Sequence, residues 1–221
     1  MTKSRLIAAA ALAIAFSSPA AAVTSFLDDW EDTDFGAAPG YTIVQTYSGW
    51  TNTTGAPTSG IEIQFNNIAG LAHSGENLVE LDSNLNSRMT LDTPLEAGDY
   101  ALSFWYSDRP GVAASSNGID VLLNATSILA TLGGAGGGTT NWILRTVNFT
   151  ANAGDTLSFA ALGTSDSYGG YIDDLRLGAP GTPGQTGAVP EPTTWALMFL
   201  GFAAIGGALR SSRRRFALLP A

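Results

Sequence analysis

Tyr100-Ala101-Leu102-Ser103-Phe104-Trp105-Tyr106 alternates between apolar and mixed positions with a period of two. Successive side chains of a strand point to opposite faces. Tyr100, Leu102 and Phe104 therefore share one face, and Trp105 takes the other. The same period recurs in Ile61-Glu-Ile-Gln-Phe65, Asn77-Leu-Val-Glu-Leu81 and Ser87-Arg-Met-Thr-Leu91, then over residues 119–123, 142–150, 156–162 and 170–177. Turn clusters rich in Gly, Pro, Asn and Asp separate these runs at residues 93–99, 108–111, 133–140 and 151–155. No amphipathic helix interrupts them. Short strands at regular spacing predict an all-β, antiparallel β-sandwich over residues 23–178.

Outward from this block, both ends change character. Lys3 and Arg5 precede an apolar stretch, then Ser17-Ser-Pro19 and Ala20-Ala-Ala22. A charged start, a short apolar middle and an Ala-x-Ala site predict a secretory signal peptide over residues 1–22. Residues 179–188 form a Gly/Pro/Thr linker that cannot pack a core. Pro190 and Pro192 bracket Glu191, and each proline fixes its own φ and pushes its predecessor toward extended geometry. The uncharged run over residues 193–209 reaches about 25 Å as a helix, the short end of what spans a bilayer. Arg210 and Arg213 to Arg215 follow it, which predicts a cytoplasmic C-terminus by the positive-inside rule.

This tail, residues 189–215, resembles the PEP-CTERM sorting signals of Gram-negative bacteria in the order of its motif, span and basic end. The resemblance implies Pro190, Glu191 and Pro192 as the sorting motif. It also implies an exosortase-type membrane peptidase as partner and insertion in the inner membrane before processing. The product would then reside at the cell surface or outside the cell.

The exported segment is strongly acidic. Four arginines face eighteen carboxylates, an excess of fourteen negative charges, and it holds no lysine. Such a surface repels nucleic acid and anionic lipid. The chain has no cysteine, so disulfide and thiol chemistry are excluded. Its single histidine, His73, lies in a Gly-flanked loop and reads as a solvated loop residue. No Gly-x-Ser-x-Gly elbow accompanies it, which argues against a serine triad. Gly133-Gly-Ala-Gly-Gly-Gly138 lacks the Lys-Ser/Thr of a phosphate loop and reads as a flexible hairpin loop.

In Tyr171-Ile-Asp-Asp-Leu-Arg-Leu177, strict alternation places Asp173 on the face of Leu175 and Leu177. A core-facing carboxylate is costly unless paired or metal-bound. A second acidic cluster, Asp28-Asp-Trp-Glu-Asp-Thr-Asp34, opens the segment. Sandwiches often pair their first and last strands, so the two clusters could meet and hold calcium through hard oxygen ligands. Alternatively the opening cluster is a solvated arm and Asp173 lies at a strand edge.

Leu27-Asp-Asp-Trp-Glu-Asp32 is similar to the opening of jelly-roll carbohydrate-binding modules of the galactose-binding-domain-like superfamily. Residues 77–82, 98–104, 142–149 and 171–175 fall in that family's order. The resemblance implies a jelly-roll sandwich, binding of an extracellular polysaccharide or glycan, and a structural Ca2+ at Glu31 and Asp173. Trp30 and Asp28 depart from its usual Phe and Asn.

Sugar binding needs aromatic faces and a few placed polar groups. Trp105, turned away from the Leu102 and Phe104 face, and Tyr168, in a Ser/Gly loop, are the candidate ligand-binding aromatics. Two other readings stay open. A glycosidase would require a cleft with two carboxylates, one with a raised pKa. A structural matrix protein would need no ligand at all.

Overall fold

The computed structural model describes residues 23–181. The signal-peptide reading of residues 1–22, most of the linker, the Pro-Glu-Pro motif and the candidate span at 193–209 lie outside them.

The described residues form thirteen strands and no helix. In chain order these are β1 (Phe26–Asp28), β2 (Gly40–Val44), β3 (Thr46–Tyr47), β4 (Trp50–Asn52), β5 (Ile61–Phe65) and β6 (Asn77–Glu80). They continue as β7 (Arg88–Leu91), β8 (Gly98–Ser107), β9 (Gly118–Leu123), β10 (Thr126–Thr131), β11 (Ile143–Ala151), β12 (Leu157–Leu162) and β13 (Tyr171–Gly178). One sheet runs β11-β8-β13-β6-β5-β2, with β1 added along β13, and the other runs β10-β9-β12-β7-β4-β3. The pairings are antiparallel throughout, and the two sheets form the expected sandwich.

The alternation in β8 sets the core. Tyr100, Leu102, Phe104 and Tyr106 are buried and belong to one cluster with Ile61, Ile63 and Val79 from the same sheet. Met89, Val121, Leu157 and Phe159 join from the other sheet. The rings of Phe104 and Phe159 meet edge-on across the sheets at 5.1 Å, and Trp50 meets Phe159 at 5.7 Å. Burying each such side chain stabilises the fold by roughly 1.5–3 kcal/mol.

The first and last strands do pair, with Phe26 opposite Leu177 and Asp28 opposite Leu175. The alternation in β13, however, is broken. Ile172, Leu175 and Leu177 all belong to the core, a spacing that a regular strand cannot produce. The register shifts between Asp173 and Arg176, and Asp174 adopts a left-handed φ of 45°. This β-bulge turns Asp173 to the face opposite Leu175 and Leu177, correcting the parity reading. Asp173 is nonetheless fully buried, beneath a loop on the outer side of its sheet. The short strands β2, β3, β4 and β10 were not marked by any apolar alternation.

Candidate functional site

The outer face of the β8-β13-β6-β5-β2 sheet carries two polar assemblies. The first is a strap over residues 70–76. Trp105 stands opposite Asp173 in the ladder, and the His73 ring stacks on its indole with centroids 3.9 Å apart. His73 Nδ1 lies 2.5 Å from the Asp174 carboxylate. The backbone N–H groups of His73 and Ser74 donate to Asp173 Oδ2 at 2.7 and 3.2 Å. The Trp142 indole N–H reaches the Leu71 carbonyl at 3.0 Å. His73 is thus a packed strap residue, not a solvated one, and Trp105 has one face covered.

Glu31 anchors the end of the same strap. Its Oε1 accepts from the N–H groups of Glu76 and Asn77 at 2.9 and 2.7 Å. The two candidate calcium ligands therefore flank one loop. N–H donors take part of their acceptor capacity, though a carboxylate pair offers more lone pairs than these bonds use. Burial pushes the Asp173 carboxyl up to about 7, against the N–H donors that favour its ionised form. Among the described residues, no three His, Asp or Glu side chains are grouped to hold a metal. A calcium here would need backbone carbonyls or water to complete its shell.

The second assembly is a cleft of about 280 Å³. Tyr41, Glu62, Gln64, Asn84, Arg109 and Tyr168 are among its lining residues. Tyr168 is 49% exposed. Its loop is held from below: Asp82 Oδ2 accepts from the N–H groups of Asp166 and Tyr168 at 2.9 and 3.3 Å, and Gly169 N–H donates to Glu80. The Arg109 guanidinium lies 4.7 Å from the Tyr168 ring centroid and pairs with the fully buried Glu80. Gln64 Nε2 donates to both Glu62 and Glu80, at 2.8 and 2.5 Å. Burial pushes both glutamate carboxyls above their ordinary value, Glu80 the further; the Arg109 guanidinium opposes the rise in each.

The structure does not bring Trp105 and Tyr168 to one site. Trp105 lies under the strap, and Tyr168 lines the cleft. Glu62, Gln64, Glu80 and Arg109 escaped the sequence reading. The one signal for the first two was their alternation with Ile61 and Ile63, which marks an outer face without marking burial.

Residues 188–215 match the model of the PEP-CTERM protein-sorting motif.

The chain carries a PEP-CTERM sorting signal.

This motif implies export, a membrane-anchored C-terminal sorting signal and processing by exosortase. No curated protein matches the chain as a relative. The sandwich is similar to the K2 cleaved adhesin domain of Lys-gingipain, at 18% identity over 69% of this chain and 97% of that one, with a TM-score of 0.51. It also aligns with a Stig cyclase from Fischerella sp. TAU at 18% identity, 71% and 100% coverage and a TM-score of 0.48. A family 35 carbohydrate-binding module from Clostridium thermocellum aligns at 16% identity, 71% and 98% coverage and a TM-score of 0.38. At 18% identity the likeness to the adhesin domain speaks for the sandwich and not for an activity.

Proposed function

We propose that this is an exported surface or extracellular-matrix protein whose sandwich binds carbohydrate at the Tyr168 cleft. The observation that carries the reading is the cleft itself, where an exposed tyrosine stands among polar groups held at fixed positions. Aromatic faces stack on pyranose rings, and a few placed polar groups fix orientation. Before processing, the tail sits in the inner membrane of a Gram-negative bacterium with its C-terminus in the cytoplasm. Removal by exosortase leaves the sandwich at the cell surface or outside the cell.

A structural Ca2+ at Glu31 and Asp173 belongs to the same reading. Asp173 is buried without a salt-bridge partner among the described residues. A bound divalent cation supplies the missing positive charge.

One observation favours a second reading, glycan hydrolysis: Glu62, which lines the cleft, and Glu80 buried beside it both have raised pKa values. Glycosidases place such a pair on either side of the scissile bond. Here the two stand side by side on one sheet, opposite each other in register. Glu80 has no exposed surface, so substrate has no route to it.

A glycan array probed with the full chain in mild detergent tests the proposal. Retention on a polysaccharide, lost in Tyr168→Ala, supports it. Absence of retention on every glycan removes it in favour of a structural matrix role. Release of reducing sugar from a retained polysaccharide moves the reading to a hydrolase.

A further inference from the structure

The sandwich is open along two sides. One carries the edge strands β11 and β10, and the other carries β2 and β3. Each of these four strands pairs along one side only, with β8, β9, β5 and β4 respectively. Such edges present N–H and C=O groups to a further strand. Each sheet path holds six strands joined by antiparallel pairings. Its two edges therefore run antiparallel to each other. A second copy placed alongside meets the first in the antiparallel sense in both sheets.

The two sides differ in charge. Residues 121–154, which include β10 and β11, hold no Asp or Glu and a single cation, Arg145. Arg145 forms no ion pair among the described residues, and its guanidinium lies 5.6 Å from the Tyr106 ring centroid. Leu132, Ile143 and Leu144 are exposed on the same segment. Three acids stand one strand in from this side or just beyond β8, and each accepts a hydrogen bond: Asp99 from Thr150, Asp108 from the Tyr106 hydroxyl and Asp120 from Ser127. On the other side, residues 23–87 hold no Lys or Arg. Phe35 packs against Tyr47 of β3 and Phe65 of β5, which lays the loop of Asp32 and Asp34 along this side. Both of these acids are exposed, and Asp32 Oδ2 accepts from the Ser48 hydroxyl, just past β3, at 2.7 Å.

The charges also stand at one level of the sheet. A single row of partners runs Ile143, Tyr106, Ile172, Val79, Ile63 and Thr42 from edge to edge. Two residues from that row, in the same direction, lie Arg145 on β11 and Gly40 on β2. Gly40 is where the acidic loop enters β2. Two copies set side by side at one level bring Arg145 of one toward the Asp32 and Asp34 loop of the next. Contact between like sides would set Arg145 against Arg145, or acids against acids, and like-charge juxtaposition is costly. The overall acid excess repels copies from one another, so the side whose edge strands lack carboxylates is the one a second copy approaches at least cost.

We infer that this chain associates with copies of itself head to tail, the β10/β11 side of one sandwich docking on the β2/β3 side of the next. A contact between two different sides does not close on itself in a pair, so it propagates into open chains. The contact is edge-on and does not depend on the carbohydrate reading of the Tyr168 cleft.

The experiment is sedimentation of the full chain in density-matched mild detergent at low salt. The unmodified chain is expected to form species longer than dimers as concentration rises, and to lose them as salt is added. Arg145→Glu and Leu144→Glu block one side, and Asp32→Arg and Asp34→Arg block the other. Each should weaken association tenfold or more with its melting temperature kept, and the second variant on each side stands in where the first unfolds. An equimolar mixture of Leu144→Glu and Asp32→Arg copies retains one intact pair of sides, so it should give dimers and nothing longer. A mixture that stays monomeric overturns the inference. Weakening by the β11 variants alone means a two-fold contact between like sides, and overturns it as well. Association that ignores all four variants, or an unmodified chain that stays monomeric at every concentration, does the same, while the glycan array result stands on its own.

Discussion

The His73 ring lies on the Trp105 indole with centroids 3.9 Å apart and planes 16° from parallel. This stack decides what the outward tryptophan of β8 does. It supports a strap, and the strap in turn buries Asp173. Trp105→Ala is therefore expected to lower the melting temperature by several degrees, the order of a 1–3 kcal/mol loss, and to leave glycan retention within about twofold. Tyr168→Ala should do the reverse. Thermal melts and polysaccharide retention on the two variants check this, and loss of retention in Trp105→Ala with an unchanged melt would contradict it.

Gly75 has a φ of +58°, and a Cβ added there would lie 2.3 Å from Glu31 Oε1. Gly75→Ala thus meets both an unfavourable backbone region and a collision with the carboxylate that anchors the strap. The expected cost is about 1–3 kcal/mol. A double-mutant cycle separates the two causes. In a Glu31→Ala background the collision is gone, so the penalty should shrink to the backbone part. An undiminished penalty would show that Glu31 is not the obstacle.

Arg109 and Glu80 form a pair in which the carboxylate is fully buried. Removing one member of such a pair strands the other, at a cost of about 3–5 kcal/mol. Arg109→Ala should cost stability in that range, and Arg109→Ala with Glu80→Gln should recover part of it. Chemical denaturation of the three variants measures both effects.

Stability should fall as pH rises. Burial pushes Asp28 up to about 6, against hydrogen bonds from Ser48, Trp30 and Trp50. Glu62, Glu80 and Asp82 are raised by burial as well. A carboxyl raised in the folded state contributes its stability in full below the unfolded pKa, 3.8 for Asp28. That contribution is lost as pH rises through the folded value. The melting temperature should therefore be higher at about pH 5 than at about pH 8. Repulsion among the excess acids acts in the same direction, so Asp28→Asn isolates its share by flattening the curve. A melting temperature that climbs from about pH 5 to about pH 8 would refute this.

Calcium at Glu31 and Asp173 is tested by melting with added calcium and then with chelator. Added calcium should raise the melting temperature, chelator should return it, and Asp173→Asn should abolish the difference. An identical melt in both conditions removes the ion from the account.

Much of the sandwich was legible because period two is a local signal. In β8 the core face is written in consecutive residues, and the same holds for Ile61 and Ile63 in β5. The strands without that contrast were not legible. In β2 to β4, Thr, Tyr and Asn leave no clear apolar alternation, and only pairing with β5, with β7 and with one another makes those residues strands. The bulge at Asp173 was equally invisible, since a left-handed Asp174 leaves no mark in the order of side chains.

The candidate site divides along the same line. Tyr168 was reached from its loop composition, Trp105 from its parity, and Glu31 and Asp173 from the acidic clusters that hold them. Their partners were not, because partnership in a sheet is set by register across long separations. Glu62 meets Glu80, and Arg109 comes from beyond the end of β8 to neutralise one of them.

The sequence by itself determined the sorting tail, the acidic and cysteine-free character of the exported segment, and the all-β class. Each depends on composition or on neighbours a few residues apart. Only the tertiary structure decided that Trp105 supports a strap, that Asp173 lies outside the core, and that Glu62 and Glu80 meet beside Arg109. Burial and charge compensation depend on which residues meet across the sheet, and the folded chain alone sets those meetings.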